Sequence, residues 1–370
     1  VAKQKQQPQP DGEKDAHIRS VLAEIEKEYG QGIVRSGRDL INSPPQVIPF
    51  SPAMDGILGE GIPEGSWVMI AGPPKGGKTV SALSFAANCQ LPEYGERPVM
   101  VLSAEHRLDP MTLNGIKGLK LDPPHFYFVE STRGKVMGSD DFLNVGLRFL
   151  KSVERAVLVI DSASALVNPK VIADGIGTSD FGSGNRLLSQ FCDIAAPIVK
   201  SQKAIVCCIC QQYANTSGYG KKTVDKIASK VKYQADVILH LERFSLERGN
   251  GEDEPPTGQI LDWVCDKAAL AGPGGKCQSR IRFGIGIDRI AELIVRASDY
   301  GLIEKGGSWL TLNYLAGAQN LLVGTEYEGK DEVKAQGLEK AYRLLDSNPA
   351  WAKELERQVK ELVSPAKVAA

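Results

Sequence analysis

The stretch SWVMIAGPPKGGKTVSALSFAANCQ, Ser66 to Gln90, decides how this chain folds. At its centre Gly72, Gly77, Lys78 and Thr79 stand in the spacing G-x-x-x-x-G-K-T. The apolar run Trp67–Ala71 before it is short enough for a buried strand. Behind it Val80, Leu83, Phe85 and Ala86 recur at roughly helical spacing. Strand, glycine loop and helix form the context in which this pattern holds phosphate. Glycines let backbone N–H groups turn inward, and the following helix aims its positive end at the same anion. The loop residues Gly72, Pro73, Pro74, Lys75, Gly76 and Gly77, with Lys78, Thr79 and Val80, are therefore expected to bind nucleotide. Lys78 is placed to reach the β- and γ-phosphates, and the Thr79 hydroxyl to sit on Mg²⁺.

Composition bounds the rest. The 370 residues, 42% hydrophobic and 24% charged, are those of an ordinary globular protein of two or three domains. No apolar run approaches the ~20 residues that span a bilayer, and the polar start VAKQKQQPQP does not read as a signal peptide. With a net charge of −1, any affinity for nucleic acid has to come from local clusters. Seven scattered cysteines, an odd number, suggest reduced thiols in a cytoplasm. Cys207 and Cys210 have C-x-x-C spacing inside the apolar strand Ala204–Cys210. Residues three apart in a strand face opposite sides, so these sulfurs read as core rather than as a metal site.

Residues 1–14, rich in Gln, Pro and Lys, are expected to be disordered. A helix beginning near Asp15 carries Ile18, Val21, Leu22 and Ile25 on one face and ends at Gly30, with an isolated strand over Gly32–Arg35. From about Pro49 to Asp288 strands and helices alternate, the pattern of a parallel sheet covered by helices. The expected strands are Trp67–Ala71, Val99–Ser103, Phe126–Val129, Val157–Ile160, Ala204–Ile209 and Val237–Leu241. Beyond Asp288 come a helix with Ile290, Leu293, Ile294 and Ala297 inward, a hairpin turning at Gly306–Gly307, and two more helices. Asn348 and Pro349 start the last one, with Trp351, Leu355, Val359 and Leu362 inward.

Ligands of such sheets gather at the carboxyl ends of the strands. There, Asp161 ends AVLVID, opposite the phosphate loop, where a carboxylate would hold Mg²⁺ and its waters. Glu105 follows VMVLS and is a candidate general base for an attacking water. Gln211 either hydrogen-bonds a γ-phosphate or serves as a cap or surface amide. The next segment holds Lys221, Lys222, Lys226, Lys230 and Lys232 against one acid, Asp225, with Tyr213, Tyr219 and Tyr233 spread among them. Cations interleaved with aromatics suit a single-stranded nucleic acid. A second loop, ADGIGTSDFGSGNR, offers Phe181 and Arg186 either to the same ligand or to a local turn.

Together these segments resemble the RecA family of strand-exchange recombinases, over nearly all of the chain after the first dozen residues. AEIEKEYGQGIVRSG, GPPKGGKT, SAEHRLDP, VLVIDSASAL, IGTSDFGSGNRLLSQ, FGIGIDRIAELI, LIEKGGSWLTL and NPAWAKELERQVKEL carry the likeness, in the family's order. The resemblance implies an α/β fold: a RecA-like P-loop ATPase core with a mostly parallel central sheet over 47–288. An N-terminal helix and strand for oligomerisation, 15–46, and a small α+β C-terminal domain, 289–370, would flank it. It implies Glu105 as catalytic base, Asp109 as a nucleoside contact, and Gln211 as γ-phosphate sensor. Phe181 would be a wedge between bases, Arg186 a phosphate contact, and Lys267 a cation reaching a neighbour's ATP. Two positions depart from the family: Thr112 stands where a tyrosine stacks on adenine, and Ala269 where a second interface lysine would be.

The implied activity is ATP-dependent homologous recombination. Helical filaments would form on single-stranded DNA and pair it with double-stranded DNA, with DNA-stimulated ATP hydrolysis and with single-strand-binding and mediator proteins as partners. A hexameric helicase-type motor sharing the core is the rival reading.

Overall fold

The computed structural model describes residues 11–175, 183–215, 223–248 and 254–363. Chain contacts divide it into two units, Val1–Pro45 and Gln46–Ala370.

In the first unit, helix α1 runs Asp11–Tyr29, starting four residues before the expected Asp15. Ile18, Val21 and Leu22 are exposed. The strand expected over Gly32–Arg35 does not form: those residues are turn and irregular chain. A lone strand has no ladder to satisfy its backbone. The next residues form a short helix instead, α2 (Gly37–Asn42), closed by a reciprocal capping box between Ser36 and Asp39.

The second unit opens with the small pair β1 (Val47–Ile48) and β2 (Ile62–Pro63), which flank helix α3 (Pro52–Leu58). Its main sheet starts from β3 (Trp67–Gly72), which feeds helix α4 (Lys78–Cys89). Then come β4 (Val99–Ser103), the short helix α5 (Pro110–Asn114), β5 (Phe126–Val129), α6 (Ser139–Ser152) and β6 (Val157–Asp161). After α7 (Pro169–Asp174) and α8 (Ser183–Ser201) the chain returns as β7 (Ile205–Ala214), β8 (Thr223–Asp225), α9 (Ser229–Gln234) and β9 (Val237–Arg248). The strands β10 (Pro256–Lys267), β11 (Gly275–Arg282) and β12 (Gly286–Ile287) complete the sheet, in the order β12-β11-β10-β9-β3-β7-β6-β4-β5.

From β9 to β5 all neighbours are parallel, as the apolar runs imply. Both faces are covered: Val68 and Ile70 of β3 join one buried cluster, and Trp67, Met69 and Ala71 the other. Cys207 belongs to the first cluster and Cys210 to the second, so the two sulfurs do face opposite ways. The other side of the sheet was not anticipated. There β9, β10, β11 and β12 are antiparallel, and β9 and β10 run 12 residues each, well past the parallel block.

Residues after Asp288 have a hydrophobic cluster of their own. Helices α10 (Arg289–Asp299), α11 (Gly337–Ser347) and α12 (Pro349–Val363) pack with the hairpin β13 (Glu304–Gly306) and β14 (Trp309–Thr311) and a third strand, β15 (Lys334–Gln336). Trp351, Leu355 and Val359 are buried there. Leu362 is 43% exposed rather than inward; in the last turn of α12 it is Val363 that packs against the cluster.

Candidate nucleotide site at the carboxyl ends of the strands

The phosphate loop is shaped by one backbone requirement. Gly77, with φ +85, stands at the start of α4 in the left-handed region, and a Cβ there would meet the Ile281 side chain at 2.5 Å. The opening turn of α4 has no side-chain cap, so its amides point into the loop. Lys78 is buried, its Nζ donating to the Pro73 carbonyl at 2.6 Å. Burial lowers its affinity for a proton, while Cys210, Glu105 and Asp161 oppose that shift.

A cavity of about 590 Å³ lies beside this loop. It brings Lys75, Lys78, Thr79, Glu105, Asp161 and Gln211 to one surface. Thr79 Oγ1 donates to Asp161 Oδ2 at 2.9 Å. Burial pushes the Asp161 carboxyl up to about 6, with a smaller push from Glu105. A hydroxyl and a carboxylate are hard oxygen donors, a set that fits Mg²⁺.

Glu105 is held in place by two donors. Ser162 Oγ donates to its Oε1 at 2.6 Å, and the Gln211 side-chain amide donates to the same oxygen. Gln211 is tied in turn to the next segment: its amide donates to Ser164 Oγ, and its carbonyl accepts from Lys226 N at 2.9 Å. Ser164 Oγ also donates to the Lys226 carbonyl at 2.7 Å. The carboxylate and the lysine-bearing segment are thus joined through one residue, by the side chain of Gln211 on one side and its backbone N–H and C=O on the other.

Four expected residues lie away from the cavity wall or beyond reach of it. Gly72 and Pro73 stand behind the lining residues, at the end of β3. Asp109 caps α5, accepting from Thr112 N at 2.8 Å and Thr112 Oγ1 at 3.1 Å, and those bonds lower its pKa. Thr112, not Asp109, lines the cavity. Lys267 ends β10 at the other end of the sheet, opposite the start of β9, donating to the Ala235 carbonyl. Gln259 of the same strand donates to Lys75 O, and eight residues of strand put Lys267 roughly 26 Å further on.

Of the expected DNA contacts, Phe181, Tyr219, Lys221 and Lys222 lie outside the described residues. Arg186 is exposed in the first turn of α8, and Tyr213 is 53% exposed where β7 pairs with β8. Lys226 lines a second cavity of about 400 Å³ with Ala163–Asn168 and Asn185. Lys230 is not a free cation: it pairs with Asp193 of α8 at 2.6 Å, because α9 packs on α8. Lys232 likewise pairs with Asp225 at 2.5 Å.

Sequence reasoning did not single out Ser162, Gln259, Arg107 or Phe283, the last three of which line the nucleotide cavity. Phe283, 48% exposed in the turn after β11, is an aromatic among the residues that line it. Only the aromatic within FGIGI hinted at this role, and nothing local linked it to the phosphate loop.

A parallel sheet, a glycine loop with lysine and threonine, and a tethered carboxylate at the neighbouring strand end define a P-loop nucleoside triphosphatase. A family model described as the RecA N-terminal domain matches residues 16–288. Over 354 residues the chain is 30% identical to Protein RecA of a Nocardioides species, covering 95% of this chain and 92% of that protein. Protein RecA of Streptomyces coelicolor is 30% identical over 353 residues, 94% of this chain and 86% of that one. A crystal structure of the RadB recombinase aligns with 64% of this chain and 95% of its own, at TM-score 0.44 and 18% identity. The chain belongs to the RecA family, and it is a RecA-like recombination protein built on an ATPase core.

Proposed function

We propose that this protein polymerises on single-stranded DNA with ATP and Mg²⁺ at the seams between copies, pairs that DNA with a duplex, and hydrolyses ATP in response to DNA. The observation that carries the reading is the Glu105–Gln211 contact. Glu105 uses Oε1 for Ser162 and Gln211, so its second oxygen can take the proton of an attacking water. Gln211 senses the γ-phosphate from the same place and passes any shift to Lys226 through the backbone bond between them.

Mg²⁺, when bound, neutralises phosphate charge; Thr79 and Asp161 would hold it. Lys78 would take the β- and γ-phosphate oxygens in exchange for the Pro73 carbonyl. Lys267 is too distant to serve the nucleotide of its own chain, so it would complete the site of a second copy. The exposed apolar stripe Ile18, Val21 and Leu22 of α1 supplies a surface for such a copy. On the DNA side, Arg186, Tyr213 and Lys226, joined by Phe181, Tyr219, Lys221 and Lys222, would grip backbone and bases. Single-strand-binding and mediator proteins would act on that assembly.

Phosphate release measured with and without single-stranded DNA tests this. Strong stimulation is expected, and equal rates would overturn the reading.

A further inference from the structure

The charged side chains on the wall of the nucleotide cavity are Lys75, Lys78, Arg107, Glu105 and Asp161. Lys75 and Lys78 belong to the phosphate loop. Asp161 accepts from Thr79, and Glu105 from Ser162 and Gln211. Arg107 stands apart from both groups. It is exposed, and among the described residues its guanidinium has no hydrogen bond or ion pair.

The backbone decides where this side chain starts. Ala104 N donates to the Asp161 carbonyl at 2.8 Å and Glu105 N to the same oxygen at 3.2 Å, which fixes the chain as it leaves β4. Asp109 fixes it again as the cap of α5. Between these anchors His106 has φ +53, in the left-handed region that a residue other than glycine adopts at some cost. The His106 ring turns towards α6: its centroid lies 6.2 Å from that of Phe142, and Nε2 lies 3.5 Å from Ser131 Oγ. Arg107, the next residue, lines the cavity instead. Two residues of chain span at most about 7 Å, so Arg107 is rooted beside Glu105, the base assigned to the attacking water.

We propose that Arg107 is a catalytic residue that grips the terminal phosphate of a bound triphosphate from the Glu105 side, within the same chain. A planar guanidinium fork matches two phosphate oxygens, and no carboxylate here competes for it. The proposal rests on the reading of the cavity as an ATP site given above. Its consequence is that a single copy already tells ATP from ADP, before a second copy brings Lys267. In hydrolysis the water oxygen bonds to the γ-phosphorus while the bond from that phosphorus to the bridging oxygen of ADP breaks. The water's proton passes to Glu105. Arg107 transfers no proton; it offsets charge on the phosphoryl oxygens, as Lys78 does from the loop.

Affinities of the full chain, without DNA, are titrated with ADP and with a slowly hydrolysed ATP analogue. Arg107→Ala should weaken the analogue about tenfold and leave ADP as it is. Arg107→Lys keeps the charge but loses the fork, and should fall between. DNA-stimulated kcat should drop about 10²-fold in Arg107→Ala. Equal losses for the analogue and ADP would move the guanidinium to the base or sugar and overturn the proposal. The proposal and the reading beneath it fail differently. A wild-type chain that binds neither nucleotide refutes the ATP site itself. A wild type that binds both, matched in affinity and turnover by Arg107→Ala, refutes only the role of Arg107.

Discussion

At the amino ends of the parallel strands Glu64, just before β3, faces Arg97 at 2.7 Å, Lys203 at 3.4 Å and Arg155 at 3.5 Å. At the carboxyl ends of the same strands Asp161 and Glu105 face Lys78, whose ammonium is turned to the Pro73 carbonyl. Both regions bury charge, yet they handle it in opposite ways. Burial opposes ionisation of Glu64, but Arg97 and Lys203 hold its carboxyl below the usual range. Burial of Asp161 wins instead and pushes it up to about 6. A balanced cluster stiffens the sheet, whereas an unbalanced one stabilises whatever cation or phosphate completes it. Where charge is left unbalanced beside a cavity, function is the better explanation.

Removing the guanidinium of Arg97 is the harshest way to break this contrast. Arg97 is fully buried and donates to Tyr94 O, Lys203 O, Gln46 Oε1 and Glu64 Oε2. Arg97→Ala should cost about 3–5 kcal/mol of stability, since it takes the shortest ion pair from a buried carboxylate and leaves four acceptors without their donor. Denaturant unfolding measures it. A loss below about 1 kcal/mol, the worth of a surface pair, would mean that the amino-end cluster is no scaffold.

At the other end the effects of neutralisation should reverse. Asp161→Asn is expected to cost about 10²–10³ in turnover, as loss of one transition-state contact does. The fold itself should be unharmed or strengthened. The sign follows from linkage: a carboxyl raised to about 6 in the folded chain binds its proton more tightly than in the unfolded chain. Its contribution is present at low pH and lost as pH rises through about 6. At neutral pH the wild type therefore bears a cost of up to about 3 kcal/mol that the amide variant escapes. Paired turnover and unfolding curves check this, and a variant as unstable as Arg97→Ala would erase the distinction between the two ends.

The same contrast explains what could be read in the sequence. The phosphate loop is contiguous, so Gly72–Thr79 and the strand before it were legible from spacing alone. The parallel strands were legible because burial on both faces leaves unbroken apolar runs. The antiparallel flank was not, because β10 buries alternate residues and its apolar stretch is short and broken by Asp262 within PTGQILDWVCDK. Gln259 and Phe283 reach the cavity from that flank, so they went unseen with it. Lys230 looked free because its partner, Asp193, lies on a different helix and meets it only when α8 and α9 pack. The misplaced strand at Gly32–Arg35 had a local remedy: the S-x-x-D spacing of Ser36 and Asp39 marks a helix start.

Phe283 sharpens the comparison most finely, because it asks whether the carboxyl end recognises anything besides charge. Its ring stands on the cavity wall that also holds Thr112, and Thr112 has no aromatic face to give a base. Stacking on one ring rather than between two predicts a modest loss on truncation. Phe283→Ala should weaken nucleotide binding by about 1 kcal/mol, roughly fivefold. The loss should be equal for ATP and ADP, since a base contact is indifferent to the γ-phosphate, and phosphate release at saturating nucleotide should hold. Titration with fluorescent ATP and ADP analogues reads both affinities. A loss confined to ATP would tie Phe283 to the phosphate end, and unchanged affinities would leave base recognition to other residues of the wall.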